Sequence, residues 1–217
     1  MNTTNSDTTN GTAIDRAARE RTALLAATAP DDGDLARLRE RLTRDAEAGG
    51  VLDLAYTETD TPVGRMLLAA TERGLVRVAF EIEGLDGVLE RLAASLSPRI
   101  LHAPRRLDEA RRELDEYFAR ERMTFDLPLD RALSRGFRRT VQEHLPDIRY
   151  GTTESYSEVA RIVGSPQAVR AVGTACATNP LPIVVPCHRV LRADGTIGQY
   201  VGGTAVKAAL LELEAAA

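Results

Sequence analysis

The sequence predicts an α+β protein: a small N-terminal α/β domain with a three-stranded antiparallel sheet, followed by a mostly helical C-terminal domain. Three observations point there. Between Val51 and Glu83, apolar residues alternate in short runs separated by the turn signals Thr61-Pro62-Val63-Gly64 and Glu72-Arg73-Gly74, the pattern of hairpin-linked strands. After Ala132 the chain changes to helical spacing with start and stop residues. Finally, 217 residues, 43% hydrophobic and 28% charged, suffice for one large domain or two small ones with a proper core.

The elements follow in order. Residues 1–13 are polar and expected to be disordered. Ile14, Ala17, Ala18, Leu24 and Leu25 describe a weak helix ending at Pro30. Asp34 is placed to cap a second helix with Leu35, Leu38 and Leu42 on one face, and Gly49-Gly50 breaks the chain. Residues 1–50 therefore read as an accessory N-terminal extension, partly disordered or helical. Val51–Thr57, Arg65–Thr71 and Leu75–Glu83 form the antiparallel meander. Helices near Asp86–Leu96 and Leu107–Arg122 follow, the latter turning Leu114 and the Tyr117-Phe118 pair toward a core. Asp126–Asp130, with Pro128, connects a 51–130 domain to a 131–217 domain.

In the second domain Ala132–His144 reads as one helix. Ser155 with Glu158 is a capping box opening a short helix to Val163, and Gly164 suits its C-terminal end. Ser165-Pro166 then supplies an N-cap and a first helical proline for a second helix, running to about Ala177 and stopping before Asn179-Pro180. Two short helices joined so tightly are a helix-turn-helix candidate of the winged kind. The second helix is coated with small residues (Ala168, Ala171, Gly173, Thr174, Ala175, Ala177, Thr178), with Arg170 its lone long side chain. Such a surface suits close helix packing. It equally suits a nucleic-acid minor groove, which is only about 6 Å wide and excludes long side chains unless bent open.

Charge is uneven. The net charge is −4 with a pI of about 5.5, which argues against a broad nucleic-acid footprint. Residues 1–50 carry 7 basic and 9 acidic side chains, 51–130 carry 11 and 16, and 131–217 carry 10 and 7, so only the last segment is positive. No apolar run is long enough to span a bilayer, and the Asn/Thr-rich start lacks a signal-peptide pattern, so the cytoplasm is expected. Cys176, Cys187, His102, His144 and His188 make no CxxC or HxxxH spacing, so neither a zinc site nor a structural disulfide is expected.

The basic segment contains Ile183-Val184-Val185-Pro186-Cys187-His188-Arg189-Val190. A cysteine attacks as thiolate, and a neighbouring imidazole or guanidinium favours that form. These eight residues alone fit a reactive sulfur at the edge of a packed segment and a buried, inert one equally well.

The order Arg170-Ala171-Val172-Gly173, Asn179-Pro180, Pro186-Cys187-His188-Arg189-Val190, Gly198-Gln199-Tyr200, Gly202-Gly203, Lys207 and Leu210-Leu211-Glu212-Leu213-Glu214 resembles the C-terminal domain of the O6-alkylguanine-DNA alkyltransferases. The likeness is strong from Phe137 to Glu214, looser over Val51–Pro128 and absent over residues 1–50.

The resemblance implies a suicide methylated-DNA–protein-cysteine S-methyltransferase acting alone on double-stranded DNA that carries O6-alkylguanine, with O4-alkylthymine as a further substrate. It implies a monomer with no metal, no other cofactor and no membrane partner. Cys187 matches the nucleophile, His188 its water-mediated base, Glu214 the carboxylate orienting the imidazole, and Asn179 the brace of the preceding turn. Tyr200 matches the residue that helps protonate the departing guanine. Arg170 matches an intercalating arginine and Tyr156 a tyrosine crowding the lesion's phosphate, with Ala171, Gly173 and Thr174 on the groove-facing surface. Pro186, Val190, Val201, Gly202 and Gly203 match the base pocket, whose carbonyls at Cys187 and Val190 would accept from the guanine amino group.

Departures from the family are Val201 where some members carry Ser, Ala209 where many carry an aromatic, Cys176 within the recognition helix, and the lack of Trp. Alkyltransferase-like binding proteins lack the cysteine that is present here. Cysteine hydrolases usually place Cys and His far apart in sequence. A plain DNA-binding regulator is disfavoured by the acidic net charge.

Overall fold

The computed structural model describes residues 31–215. The expected disordered start and the weak helix over 14–29 lie outside the described residues. Backbone contacts divide the chain after Arg44. Helix α1 (Asp32–Ala48) runs across that point. Its cap is Asp31, not Asp34: Asp31 Oδ1 accepts the Asp34 N–H at 2.6 Å, satisfying one of the donors a helix start leaves open.

In the unit from Asp45 onward, the expected meander is present as β1 (Leu54–Thr61), β2 (Gly64–Thr71) and β3 (Gly74–Phe80). A fourth strand extends it: β4 (Ile100–His102) pairs in parallel with β1, giving the order β3-β2-β1-β4. Three residues carry too little periodicity to be read as a strand, and their partner lies far back in the chain. Strand β2 is buried on both faces, so Met66-Leu67-Leu68-Ala69-Ala70 reads as a continuous apolar run. Leu67 and Ala69 pack under Val88 and Leu92 of α2 (Leu85–Ser95). Met66 and Leu68, with Val78 and Phe80, face Leu107 and the buried side of α3 (Asp108–Phe118). Each fully buried Leu, Val, Met or Phe side chain among these stabilises by about 1.5–3 kcal/mol. Helix α3 ends at Phe118 rather than Arg122, because Arg120 turns to φ 64 and the Arg122 guanidinium folds back onto Glu116 and Asp126.

The 126–130 connection is held against the sheet. Leu75 N–H donates to Pro128 O at 2.8 Å and Asp130 N–H to Leu75 O at 2.9 Å. Gly74 is required there: a Cβ would lie 2.1 Å from Pro128 O, and its φ is 130. Asp130 then accepts from Thr71 Oγ1 and Ala132 N. This turns residues 131–134, so helix α4 begins at Gly136, not Ala132, and runs to His144.

The capping box forms as expected: Ser155 Oγ accepts from Glu158 N, and a Glu158 carboxylate oxygen accepts from Ser155 N, opening α5 (Tyr156–Ile162). The next helix differs. Ala168 N–H donates to Ser165 O at 2.8 Å, closing 165–168 as a turn, so Ser165 does not cap and α6 spans Val169–Ala177. A proline suits position i+1 of such a turn as well as it suits N1 of a helix. Helix α6 packs on α4 and α5. After it come a 3₁₀ turn (Cys187–Arg189), β6 (Val190–Leu191) paired in parallel with β5 (Glu154–Ser155), and α7 (Thr204–Ala215). The face of the sheet carrying Met66, Leu68, Val78 and Phe80 shares one unbroken core with Val141, Val159, Val172, Val185, Cys187 and Leu210.

Candidate active site

The segment carrying Cys187 is built on a strained, heavily braced turn. Ile183, β-branched and buried, sits at φ 73, a conformation costing about 1–3 kcal/mol and persisting only where the surroundings impose it. Asn179 imposes it. Its Oδ1 accepts from Leu181 N at 3.1 Å, and its Nδ2 donates both to Val185 O at 2.7 Å and to Cys187 Sγ at 3.2 Å. The side chain that braces the turn therefore also touches the sulfur.

The imidazole of His188 lies at the bottom of the site, fully buried. Its Nε2 is 2.8 Å from Glu214 Oε1. Glu214 projects from the last turn of α7. Burial alone would raise its pKa, but hydrogen bonds from His188 and Arg189 outweigh burial and hold it at about 2. A carboxylate ionised at neutral pH only accepts, so Nε2 carries the proton and Nδ1 carries the lone pair. Burial also holds His188 below the ordinary histidine value, keeping the ring neutral at pH 7. Nδ1 is buried and has no partner among the described residues. The site thus contains one free basic nitrogen on the residue next to the thiol.

Cys187 itself is 1% exposed. The residues around it fit an edge sulfur and a buried one equally well; the structure places it inside. Burial pushes the thiol up to about 11, against the opposing effects of the Asn179 amide, the Lys207 ammonium and the backbone. In the resting protein it is a thiol at pH 7. Lys207 is fully buried; its Nζ donates to Val190 O at 2.5 Å and faces the Tyr156 ring at 5.9 Å.

The pocket residues surround this core. Pro186 precedes the 3₁₀ turn, and Val190 N–H donates to Cys187 O. The Cys187 and Val190 carbonyls expected to meet guanine thus already accept from Val190 N–H and Lys207 Nζ respectively. Tyr200 stands 6.4 Å from the His188 ring, edge-on, with a buried hydroxyl that has no partner among the described residues. Val201 packs against the core, and Gly203 (φ 90) leads into α7. Gly202 is needed for close approach: a Cβ would lie 2.9 Å from the Phe80 ring, which also meets Tyr200 edge-on at 5.7 Å. Tyr156 is half-buried, with its hydroxyl against Gly198.

On the outside of α6, Arg170 and Thr174 are exposed, while Ala171 and Gly173 are half-buried. Thr174 Oγ1 is satisfied by Arg170 O at 3.2 Å. A Cβ on Gly173 would meet nothing within 4 Å. Helix packing within this chain therefore does not account for a glycine that costs the helix about 1 kcal/mol relative to Ala.

Two contacts here had no role in the sequence reading. Arg189 is buried and clamps Glu214 with Nε at 2.9 Å and Nη2 at 3.0 Å, while its Nη1 donates to Ile148 O at 2.6 Å. Lys207 stood in the motif without a function. Its signal was available: it is the only lysine of a chain that otherwise uses arginine throughout, and it lies in the apolar run Ala205–Leu210.

The chain is similar to several known proteins. A family model described as the DNA binding domain of 6-O-methylguanine DNA methyltransferase matches residues 136–216, and the ribonuclease-like domain of the same family matches 54–131. The constitutive methylated-DNA–protein-cysteine methyltransferase of Bacillus subtilis is 40% identical over 160 residues, covering 73% of this chain and 94% of that protein. The Mus musculus methylated-DNA–protein-cysteine methyltransferase is 36% identical over 172 residues, covering 74% and 81%. Among solved structures, the O6-methylguanine methyltransferase of Mycobacterium tuberculosis is 36% identical with a TM-score of 0.65, covering 75% of this chain and 93% of that one. The complex of Mycobacterium tuberculosis OGT with DNA is 37% identical at 0.63, with the same coverage. The chain belongs to the 6-O-methylguanine DNA methyltransferase family, the methylated-DNA–protein-cysteine methyltransferases of DNA repair.

Proposed function

We propose that the protein repairs duplex DNA in the cytoplasm by moving the alkyl group of O6-alkylguanine, and of O4-alkylthymine, onto Cys187 in a single irreversible turnover. The carrying observation is the arrangement of proton donors and acceptors around one buried thiol. Asn179 donates to the sulfur, His188 offers Nδ1 as the free base, and Tyr200 offers an uncommitted hydroxyl. The Cys187 proton passes to His188 Nδ1 through a bridging water, since adjacent residues seldom meet directly. The sulfur forms a bond to the alkyl carbon as the C–O6 bond breaks, and the electron pair leaves on guanine. Tyr200 stabilises that leaving base and protonates it, and the thiol's proton balances the products. Glu214, fixed by Arg189, steadies the imidazolium while it exists. Lys207 favours the thiolate from behind. A thioether is a poor leaving group, so the protein is consumed.

Duplex DNA hides O6, so the base is rotated out of the stack. In this reading α5 and α6 form a helix-turn-helix laid in the minor groove. Gly173 and its small neighbours permit close approach, Arg170 fills the vacated stack, and Tyr156 acts beside the flipped nucleotide. The sealed sulfur means that the segment bearing Tyr200–Gly203 opens to admit the base. No metal or organic cofactor takes part, and one monomer suffices.

The test is a duplex carrying radiolabelled O6-methylguanine. Label accumulates on the protein to one equivalent, and mass spectrometry places it on Cys187. Cys187→Ala abolishes transfer and retains duplex binding. Binding without transfer by the wild-type protein overturns the reading.

A further inference from the structure

Helix α3 belongs to the sheet-bearing half, yet it reaches the relay. Tyr117 is fully buried, and its hydroxyl donates to Glu214 Oε1 at 2.7 Å, across 97 positions of sequence. We propose that Tyr117 is a positioning residue for alkyl transfer: its hydroxyl fixes Glu214 Oε1 and draws charge from it, so the sheet-bearing half sets the proton affinity of the imidazole beside Cys187. This inference rests on the alkyl-transfer reading above.

Packing alone does not call for the hydroxyl. The Tyr117 ring is held edge-on or tilted by Phe118, Phe125 and Tyr150 at centroid distances of 5.4, 5.5 and 6.0 Å, contacts a phenylalanine would make equally. A hydroxyl buried in such a place is costly unless paired, and its partner is the one carboxylate oxygen that also holds His188 Nε2. Burial drives the phenol far above its ordinary range, so it stays an O–H donor at every working pH.

The other groups facing the relay are accounted for. Arg189 supplies fixed positive charge to both oxygens, and Gly151 N–H reaches Oε2 at 3.3 Å. Lys207 acts on His188, while Tyr150 and Tyr200 lie near Glu214. Oε1 accepts from Tyr117, His188 and Arg189, and Tyr117 is the uncharged donor that competes with the imidazole N–H for that oxygen. Without it Oε1 becomes more basic, the imidazolium is favoured, and His188 loses its free lone pair at a higher pH.

The experiment measures single-turnover transfer from an O6-methylguanine duplex across pH 5.5–8.5, for the wild type, Tyr117→Phe and Tyr150→Phe, with duplex affinity and thermal melting measured alongside. Tyr117→Phe moves the acid limb up by roughly half to one pH unit, an order typical of losing one charge-assisted hydrogen bond. Its rate at the acid end then falls about threefold to tenfold and recovers at the alkaline end, with duplex affinity unchanged. Tyr150→Phe leaves the limb in place, because the Tyr150 hydroxyl faces Leu213 O at 3.5 Å. Three results overturn the proposal: superimposable profiles for Tyr117→Phe and wild type, an equal fractional loss at every pH, or the same shift in both variants. Absence of transfer by the wild-type protein overturns the alkyl-transfer reading as well, so the two failures are distinct.

Discussion

Replacing Glu214 with Gln keeps the shape of the side chain and removes its charge. The carboxylate accepts from Tyr117 at 2.7 Å, His188 at 2.8 Å, Arg189 at 2.9 and 3.0 Å, and Gly151 at 3.3 Å. Despite burial, the bonds and charge of His188 and Arg189 hold its pKa at about 2 against an ordinary 4.5. At about 1.36 kcal/mol per pH unit, that difference amounts to about 3 kcal/mol of folded-state stability at pH 7. The amide nitrogen of Gln cannot accept, so it also leaves donors of Arg189 or His188 unpaired, adding about 1–3 kcal/mol. The sign follows from the folded pKa lying below the unfolded one. The contribution is complete above pH 4.5 and is lost as pH falls toward 2. His188 acts in the same direction. Its folded pKa is depressed by burial, so the unfolded chain takes up a proton below about pH 6.5 that the folded chain refuses.

Urea titrations followed by far-UV circular dichroism suit a chain without tryptophan. The expected result is a loss of about 3–6 kcal/mol at pH 7, shrinking by roughly 1–1.5 kcal/mol at pH 3.5, because there the carboxyl of the unfolded wild-type chain is already protonated while the folded one is still ionised. A loss below about 1 kcal/mol, or a loss that does not vary between pH 7 and 3.5, refutes the account of Glu214 as a buried, ionised hub.

Arg170→Ala weakens duplex binding and slows repair on duplex; an unchanged duplex rate removes its insertion role. Lys207→Met raises the Cys187 pKa further, so the rate of iodoacetamide modification at pH 8, read by mass spectrometry, falls about threefold to tenfold; an unchanged rate means the ammonium does not act on the sulfur. In the wild-type protein that modification accelerates about tenfold per pH unit between pH 7 and 9, as a thiol with a pKa of about 11 requires. Gly173→Ala stabilises the free protein by about 0.5–1 kcal/mol in thermal melts and weakens duplex affinity. A destabilised variant would mean that the glycine serves internal packing after all.

Much of the molecule was legible locally. Strand alternation, the Ser155–Glu158 capping box and the turn glycines act over a few residues, so their outcome is written in neighbouring letters. The same locality explains the errors. Ser165-Pro166 suits a turn as well as a helix start, and three residues of β4 carry no period to read. The resemblance carried by the residues from Arg170 to Glu214 nominated the sulfur, the imidazole, Asn179 and Glu214. The sequence by itself determined which side chains were available for this chemistry and where most elements lie. Tertiary structure decided that the thiol is sealed and protonated at rest, that Arg189 and Lys207 supply buried charge around it, and that Tyr117 reaches Glu214 from the other half of the chain. Protonation state depends on burial and on partners brought together from distant positions, and neither is encoded by any short run of residues.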